Sequence, residues 1–420
     1  MKKLIACLLM LALTLSAVSG MAESLTFSWW GGDACNEATQ DAVAAFSDAT
    51  GVTVDNTYSS GNGWEYRMSQ YFAVGAAFDV NQINWNWLFS FVNEFGENPF
   101  CDLNDVDDVI DLGQFDKAAL AQCTIEDELL AIPVSMTGRL FCWNETAWQK
   151  AGLEIPKTLA ELMAAGPVFA EKLGDAHYPL ALDTYDKMCL MVHYLQCKYG
   201  MDWVAGGKLS YTREQIVEGV QFIQGLQDAH VIPAAEILTG DGAESLDKNP
   251  KWMEGVYAGV WAWDAAAPAF AAALGEGQRF VLGEYFTDIG EHQGGFTKVS
   301  LALAIADSAA SRPLSAKLIE FLLNSEEGVR LMGGQRGVPL SAKAKALCQQ
   351  EGLLDPIALE ANNKVMAWCK HAMDPQFEAE ALRNADGLYA DVFESLSTGD
   401  CTAEETADML IEGIEDALDM

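Results

Sequence analysis

The chain alternates short β-prone runs with longer stretches in which apolar residues recur every three or four positions. Leu25 to Trp30 is β-prone, Ala38, Ala42, Ala45, Phe46 and Ala49 fall on one helical face, and Val52 and Val54 alternate with polar neighbours. A helical stretch from Trp64 to Val74 follows, Gly75 interrupts it, and a third strand is predicted over Asp79 to Asn84. Strand, helix, strand in repetition predicts an α/β protein with open, mainly parallel sheets and helices on both faces.

Helix starts are marked farther along. Thr158-Leu159-Ala160-Glu161, Thr212-Arg213-Glu214-Gln215 and Thr402-Ala403-Glu404-Glu405 each place a hydroxyl three residues ahead of a carboxylate or amide, the capping-box pattern. After the second, Ile216, Val217, Val220, Ile223 and Leu226 form an apolar stripe; after the third, Ala407, Leu410, Ile411, Ile414 and Leu418 do. Between Pro313 and Pro339, Ala316, Ile319, Leu322 and Leu323 share a helical face, Asn324 or Ser325 can cap a short second helix, and Gly333-Gly334 ends it. No repeat or Pro/Ser-rich linker divides the chain, so the segments are expected to cross between lobes.

The N-terminus changes the compartment. Lys2 and Lys3 precede an apolar run from Leu4 to Val18 and the small-residue site Gly20-Met21-Ala22, a signal peptide over residues 1–22. Cys7 precedes most of the apolar region, so it reads as part of the signal rather than as a lipid-attachment site. Cleavage after Ala22 leaves 398 residues with a formal charge of −38. That field repels phosphate backbones and anionic membranes, which excludes nucleic acid as a partner, and it disfavours an anionic ligand unless basic residues gather locally. Nine cysteines remain, an odd number, with no C-x-x-C pair and no histidine at metal-ligand spacing. No metal and no cofactor is expected, and most of the thiols read as small core residues.

Dinucleotide, phosphate-loop and nucleophile-elbow motifs are absent. The positive signal is tryptophan, twelve in all, clustered at Trp29-Trp30, Trp64, Trp85-Asn86-Trp87 and Trp261-Ala262-Trp263-Asp264. Sugar rings offer apolar C–H faces and hydroxyls, so their sites pair flat aromatic surfaces with planar carboxylates and amides. Trp30, Asp33, Trp64, Trp85, Asn86, Trp87, Trp261, Trp263 and Asp264 are the candidate ligand-binding residues. Core packing competes with this role for every tryptophan.

At these residues the sequence resembles extracellular solute-binding protein family 1, the carbohydrate-binding components of ABC importers. Carrying the resemblance are Gly32-Asp33, Phe78-Asp79-Val80 leading to Asn84-Trp85-Asn86-Trp87, Leu130-Ala131-Ile132-Pro133, Trp143-Asn144, Pro156-Lys157-Thr158, Trp261-Ala262-Trp263 and Ala316 to Pro339. The resemblance implies a two-lobed periplasmic-binding-protein-like fold, with lobes joined by crossover segments and a sugar held between them. It also implies ligand contacts by Asp33, Trp85, Asn86, Trp87 and Trp261. Met136-Thr137-Gly138 stands where the maltose-binding relatives have an acid, which points away from maltodextrin.

The chain is thus expected to be an exported, monomeric, non-catalytic carrier that hands a carbohydrate ligand to the membrane permease of an ABC importer. Residues 23–134 with 287–338 are expected to form one lobe, and 135–286 with 339–420 the other. A polyamine or peptide carrier is the first alternative and an exported carbohydrate-active enzyme the second.

Overall fold

The computed structural model describes residues 23–60, 63–96, 98–240 and 243–418. The signal-peptide reading and Cys7 fall outside them. The chain opens as strand β1 (Ser24–Trp30), helix α1 (Asp33–Thr50), strand β2 (Thr53–Ser59), helix α2 (Trp64–Ala73), strand β3 (Val80–Ile83) and helix α3 (Trp85–Phe95). β1 lies between β2 and β3, parallel to both. Leu25, Phe27 and Trp29 point into the core while α1 buries Ala42, Val43 and Phe46 against it, so the period-two and period-3.6 patterns meet at one apolar seam.

Trp85-Asn86-Trp87 is the first turn of α3 rather than the end of the third strand. The Asn84 side chain accepts from the Trp85 amide at 3.2 Å and caps the helix, which an apolar run alone does not announce.

Strand β4 (Ile132–Asn144) carries the chain across the molecule. After it come helices α4 (Leu159–Leu173), α5 (Thr184–Tyr199) and α6 (Arg213–Asp228), strands β5 (Gly259–Trp263), β6 (Phe280–Leu282) and β7 (Phe296–Ile305), then helices α7 (Arg312–Asn324) and α8 (Glu326–Met332). The chain ends on α9 (Pro356–Trp368), α10 (Leu388–Thr398) and α11 (Ala403–Leu418). Thr158, Thr212 and Ser325 cap α4, α6 and α8 as their sequence positions predict, and Thr402 exchanges hydrogen bonds with Glu405 before α11.

One half of β4, Ile132 to Gly138, pairs antiparallel with β7; the other half, Arg139 to Asn144, pairs antiparallel with β5 and β6. β7 in turn pairs with β3. The two long strands thus join the parallel β2-β1-β3 unit to a second unit, in which Tyr178 and Ala181 bridge in parallel to Tyr257 and Val260. The pairing of β7 with β4 shifts register between Val299 and Ala302, at the crossing. A third connection is Gln335 to Pro339: Pro339 bridges Ser135, and buried Arg336 donates to Gln82 at 2.7 Å and to Thr39 at 2.7 Å.

The described cysteines are all free thiols, and all but Cys35 and Cys401 are buried. Among the described residues no helix is long and apolar enough to cross a membrane.

His193 sits in the second unit's core beside Trp261, their ring centroids 5.0 Å apart. Burial pushes its pKa down to about 3, with the neighbouring His371 adding to the effect. The unfolded chain therefore takes up a proton below pH 6.5 that the folded chain refuses, and stability falls with pH by about 1.4 kcal/mol per unit between pH 6.5 and 3. Urea denaturation at pH 7.5 and 5.5 is expected to show this loss in the wild type and a smaller one in His193→Phe.

Candidate functional site

A cavity of about 580 Å³ opens between the two units. One wall comes from the first: Glu65 on α2, and Asn84 and Asn86 at the start of α3. The opposite wall comes from the second: Asp183, Thr184, Tyr185 and Lys187 around the start of α5, Leu238, and, from the C-terminal segment, Glu378, Glu380, Arg383 and Glu394.

Lys187 is its most unusual residue. The side chain lies in the first turns of α5, is only 2% exposed and faces the cavity, yet among the described residues no hydrogen bond or ion pair reaches its ammonium group. Burial pushes its pKa down to about 8; Asp183, Glu394 and Glu236 offset that only in part. Asp183 is engaged as the cap of α5, accepting from the Asp186 amide at 2.6 Å. Across the cavity, the Asn86 amide oxygen is buried and meets no donor among the described residues. Buried polar groups are normally satisfied. The Lys187 ammonium thus opens on the cavity without a protein partner, and the Asn86 amide oxygen on the facing wall is shielded and unpaired.

Behind the wall, cations and aromatic rings alternate. Lys298 Nζ lies 5.7 Å from the Trp85 ring centroid and 4.8 Å from that of Trp263. The Trp263 ring also meets Arg139, with Cζ at 4.9 Å from its centroid, and Arg139 also faces Tyr185 at 5.4 Å. Arg383 covers Tyr185 at 5.0 Å. Two carboxylates serve these cations. Asp186 pairs with Arg139. Glu378 takes Lys298 at 2.5 Å and Arg383 at 3.0 Å on one oxygen, and the Tyr185 hydroxyl at 2.5 Å on the other. Burial alone would raise the Glu378 carboxyl, but Lys298 and Arg383 hold it below the usual carboxylate range. Three cations, Arg139, Lys298 and Arg383, thus share two buried acids, with Lys187 apart and unpaired, so this inner layer carries an excess of positive charge.

This gathering was not legible as composition. The basic residues are scattered in sequence, at 139, 187, 298 and 383, and only the crossing of β4 and β7 and the docking of the C-terminal segment bring them together. The expectation that an anionic ligand is disfavoured carried the condition that basic residues do not gather locally; they gather behind the wall, while the cavity itself is lined by Glu65, Asp183, Glu378, Glu380 and Glu394 against Lys187 and Arg383. A signal did exist at Lys187. Asp183-Thr184-Tyr185-Asp186-Lys187 is a polar opening to a helix whose next residues, Met188 to Val192, are all buried.

Of the residues singled out from sequence, Asn86 lines the cavity. Trp85 and Trp263 stand behind it in the cation–aromatic stack. Trp87 is buried, packs on Trp30 at 4.9 Å and hydrogen-bonds Glu65 of the wall. Trp64 is 1% exposed with Arg67 over its ring. Trp261 is 2% exposed and packs on Phe141. Asp264 is buried and pins β4 to α9 by accepting from Thr137, from the Gly138 amide at 3.3 Å and from Asn362 at 2.7 Å. Asp33 is exposed in the first turn of α1. In this conformation the rings of Trp64, Trp85, Trp87 and Trp261 are packing surface, and the wall is made of amides, carboxylates, Tyr185 and Lys187. Sequence reasoning did not single out Glu65, Tyr185, Lys187, Glu378 or Arg383.

Among the described residues no group of histidine, cysteine and acidic side chains could hold a metal ion.

Several solved structures share this architecture. The periplasmic solute binding protein of Pectobacterium atrosepticum is 32% identical, with a TM-score of 0.86 over 94% of this chain and 99% of that one. A periplasmic oligogalacturonide binding protein from Yersinia enterocolitica, solved with saturated digalacturonic acid, is 33% identical, with a TM-score of 0.82 over 94% of this chain and 98% of that one. The GacH receptor of Streptomyces glaucescens, solved with acarbose, shares the fold at 16% identity and a TM-score of 0.72, covering 95% of this chain and 99% of that one. No curated protein matches the chain. The family model described as bacterial extracellular solute-binding protein matches residues 41–358. The fold, the cavity between two strand-joined units and that match agree: the chain belongs to the bacterial extracellular solute-binding protein family, and is a solute-binding protein of the ABC-transporter type that works outside the cytoplasm.

Proposed function

We propose that this protein captures an acidic oligosaccharide, a chain containing uronic-acid units, and presents it as a monomer to the membrane permease of an ABC importer. The observation that carries the reading is Lys187: a largely buried lysine whose ammonium opens on a sugar-sized cavity without a protein partner is matched by a ligand carboxylate. The oligogalacturonide binding protein at 33% identity supports the same class. Asn84, Asn86 and Tyr185 supply hydrogen-bonding groups for hydroxyls, and Lys187 and Arg383 are the cations set among the wall's carboxylates.

Residues 23–134 with 287–338 and residues 135–286 with 339–420 act in this proposal as lobes that close on the ligand. The boundaries at 134/135 and 338/339 fall on β4 and on the Gln335 to Pro339 connection, where the chain crosses. Closure follows because the ligand binds both walls only when they approach. No acid–base pair is invoked.

The test is isothermal titration of the mature protein with digalacturonic acid, maltose and spermidine. Saturable binding of digalacturonic acid alone, unchanged after prolonged incubation, is the expected result. Binding of maltose alone would leave a neutral-sugar carrier, and binding of spermidine alone would replace the carbohydrate reading with a polyamine one.

A further inference from the structure

We infer that Glu65 meets the bound sugar as a neutral carboxylic acid that donates its proton in a hydrogen bond, so that capture of an acidic sugar takes up a proton from solution. The inference rests on the acidic-sugar reading and concerns how the same cavity is regulated.

The geometry around Glu65 supplies the reason. It lines the cavity and also a narrower crevice of about 170 Å³ between α2, α3 and the segment from Pro375 to Glu380. From that segment Glu380 and Glu378 face it with negative charge. Arg383 faces it too, but its charge is already shared with Glu378. From α3 come the Trp87 side-chain hydrogen bond and the neutral Asn86. On its own helix, the nearby cation Arg67 lies over the Trp64 ring, 5.4 Å from the centroid. Asp183, Lys187 and Glu394 lie on the cavity's other wall. An ionised Glu65 has no cation of its own here. Burial pushes its pKa up to about 7, the charge of Glu380 adds to the rise, and Trp87 and Arg383 oppose it. A ligand carboxylate entering the cavity is a further negative charge, which favours the protonated form again.

The sign follows. At pH 7 the free carboxyl is split about evenly between its two forms, and the complex holds it neutral, so binding takes up about half a proton. Affinity then rises about tenfold from pH 8 to pH 6. Lys187, whose pKa lies near 8, adds at most about twofold over the same range.

The experiment is titration with digalacturonic acid at pH 7 in two buffers of different ionisation enthalpy, with affinities also taken at pH 6 and 8, for wild type and Glu65→Gln. Wild type is expected to take up about half a proton and Glu65→Gln about a tenth, with the variant's affinity constant within about twofold between pH 6 and 8. A ligand-free carbon-13 titration of the glutamate carboxyls, with Glu65 assigned by the variant, is expected to place its midpoint near 7. Equal uptake in both proteins, or a midpoint in the ordinary carboxylate range, would overturn the inference while leaving the ligand reading intact. Absence of binding by wild type overturns the ligand reading and this inference with it.

Discussion

Lys187→Met is expected to weaken binding of an acidic sugar by roughly 10- to 100-fold, the worth of one hydrogen bond to a charged group, while leaving the protein as stable as wild type or more so. The two effects have one cause. In the ligand-free protein the lysine is largely buried and its ammonium has no protein partner, and its fall from 10.5 to about 8 is the measure of that cost, about 3 kcal/mol at most. Methionine fills the same space without a charge to desolvate. A lysine whose folded pKa is depressed makes the native state gain stability as pH rises from about 8 to 10.5, because the unfolded chain then holds the extra proton. That gain should vanish in Lys187→Met. Titration calorimetry with digalacturonic acid and thermal denaturation across pH 7 to 10 check both parts. A variant that binds weakly because it is misfolded would lose stability, so the paired readout separates recognition from packing. A neutral sugar, if it binds at all, should be affected far less.

The elements of the fold were largely legible because each rests on a local rule. The β1-α1-β2-α2-β3 opening follows from apolar periodicity, and the starts of α4, α6 and α8 follow from a side chain able to satisfy an unpaired backbone amide. The site was legible only in part because its charges are assembled by tertiary structure. Arg139 and Lys298 come from the two crossing strands, Lys187 from α5 and Arg383 from the C-terminal segment, and no spacing in sequence relates them. Trp85, Trp87 and Trp263 lie near the cavity, but as supports rather than as stacking surfaces for a sugar. Trp85 and Trp263 hold Lys298 between their faces, and Trp87 hydrogen-bonds Glu65, so the aromatic clusters shape the wall from behind. Strand alternation could not show this for Trp85 and Trp87, since the Asn84 cap turns that segment into a helix and sends their rings inward.

Glu378→Gln is expected to be the most destabilising single substitution in this region. The carboxylate is fully buried and is the anion to which Lys298 is paired, at 2.5 Å, with Arg383 sharing the same oxygen. Glutamine keeps the shape and can still accept from Tyr185, but it leaves a lysine that is 7% exposed without a counter-charge, in the crossing strand β7. Removing one member of a buried pair typically costs about 3–5 kcal/mol, which for a protein of this size is a fall in melting temperature of roughly 4–6 °C. Removing the stranded cation as well should recover part of the loss: Lys298→Met with Glu378→Gln is expected to be more stable than Glu378→Gln alone, the signature of coupling rather than of general damage. The acid limb gives a second check. Because Lys298 and Arg383 depress the folded pKa of Glu378, its contribution is complete above the ordinary glutamate value of 4.5 and disappears as pH falls through the lower folded value. Wild type should therefore lose more stability than Glu378→Gln below pH 4.5, and their denaturation midpoints should converge there. Equal melting temperatures at pH 7 would mean that Lys298 finds another partner or sheds its proton, and the excess of positive charge assigned to the inner wall would then have to be withdrawn.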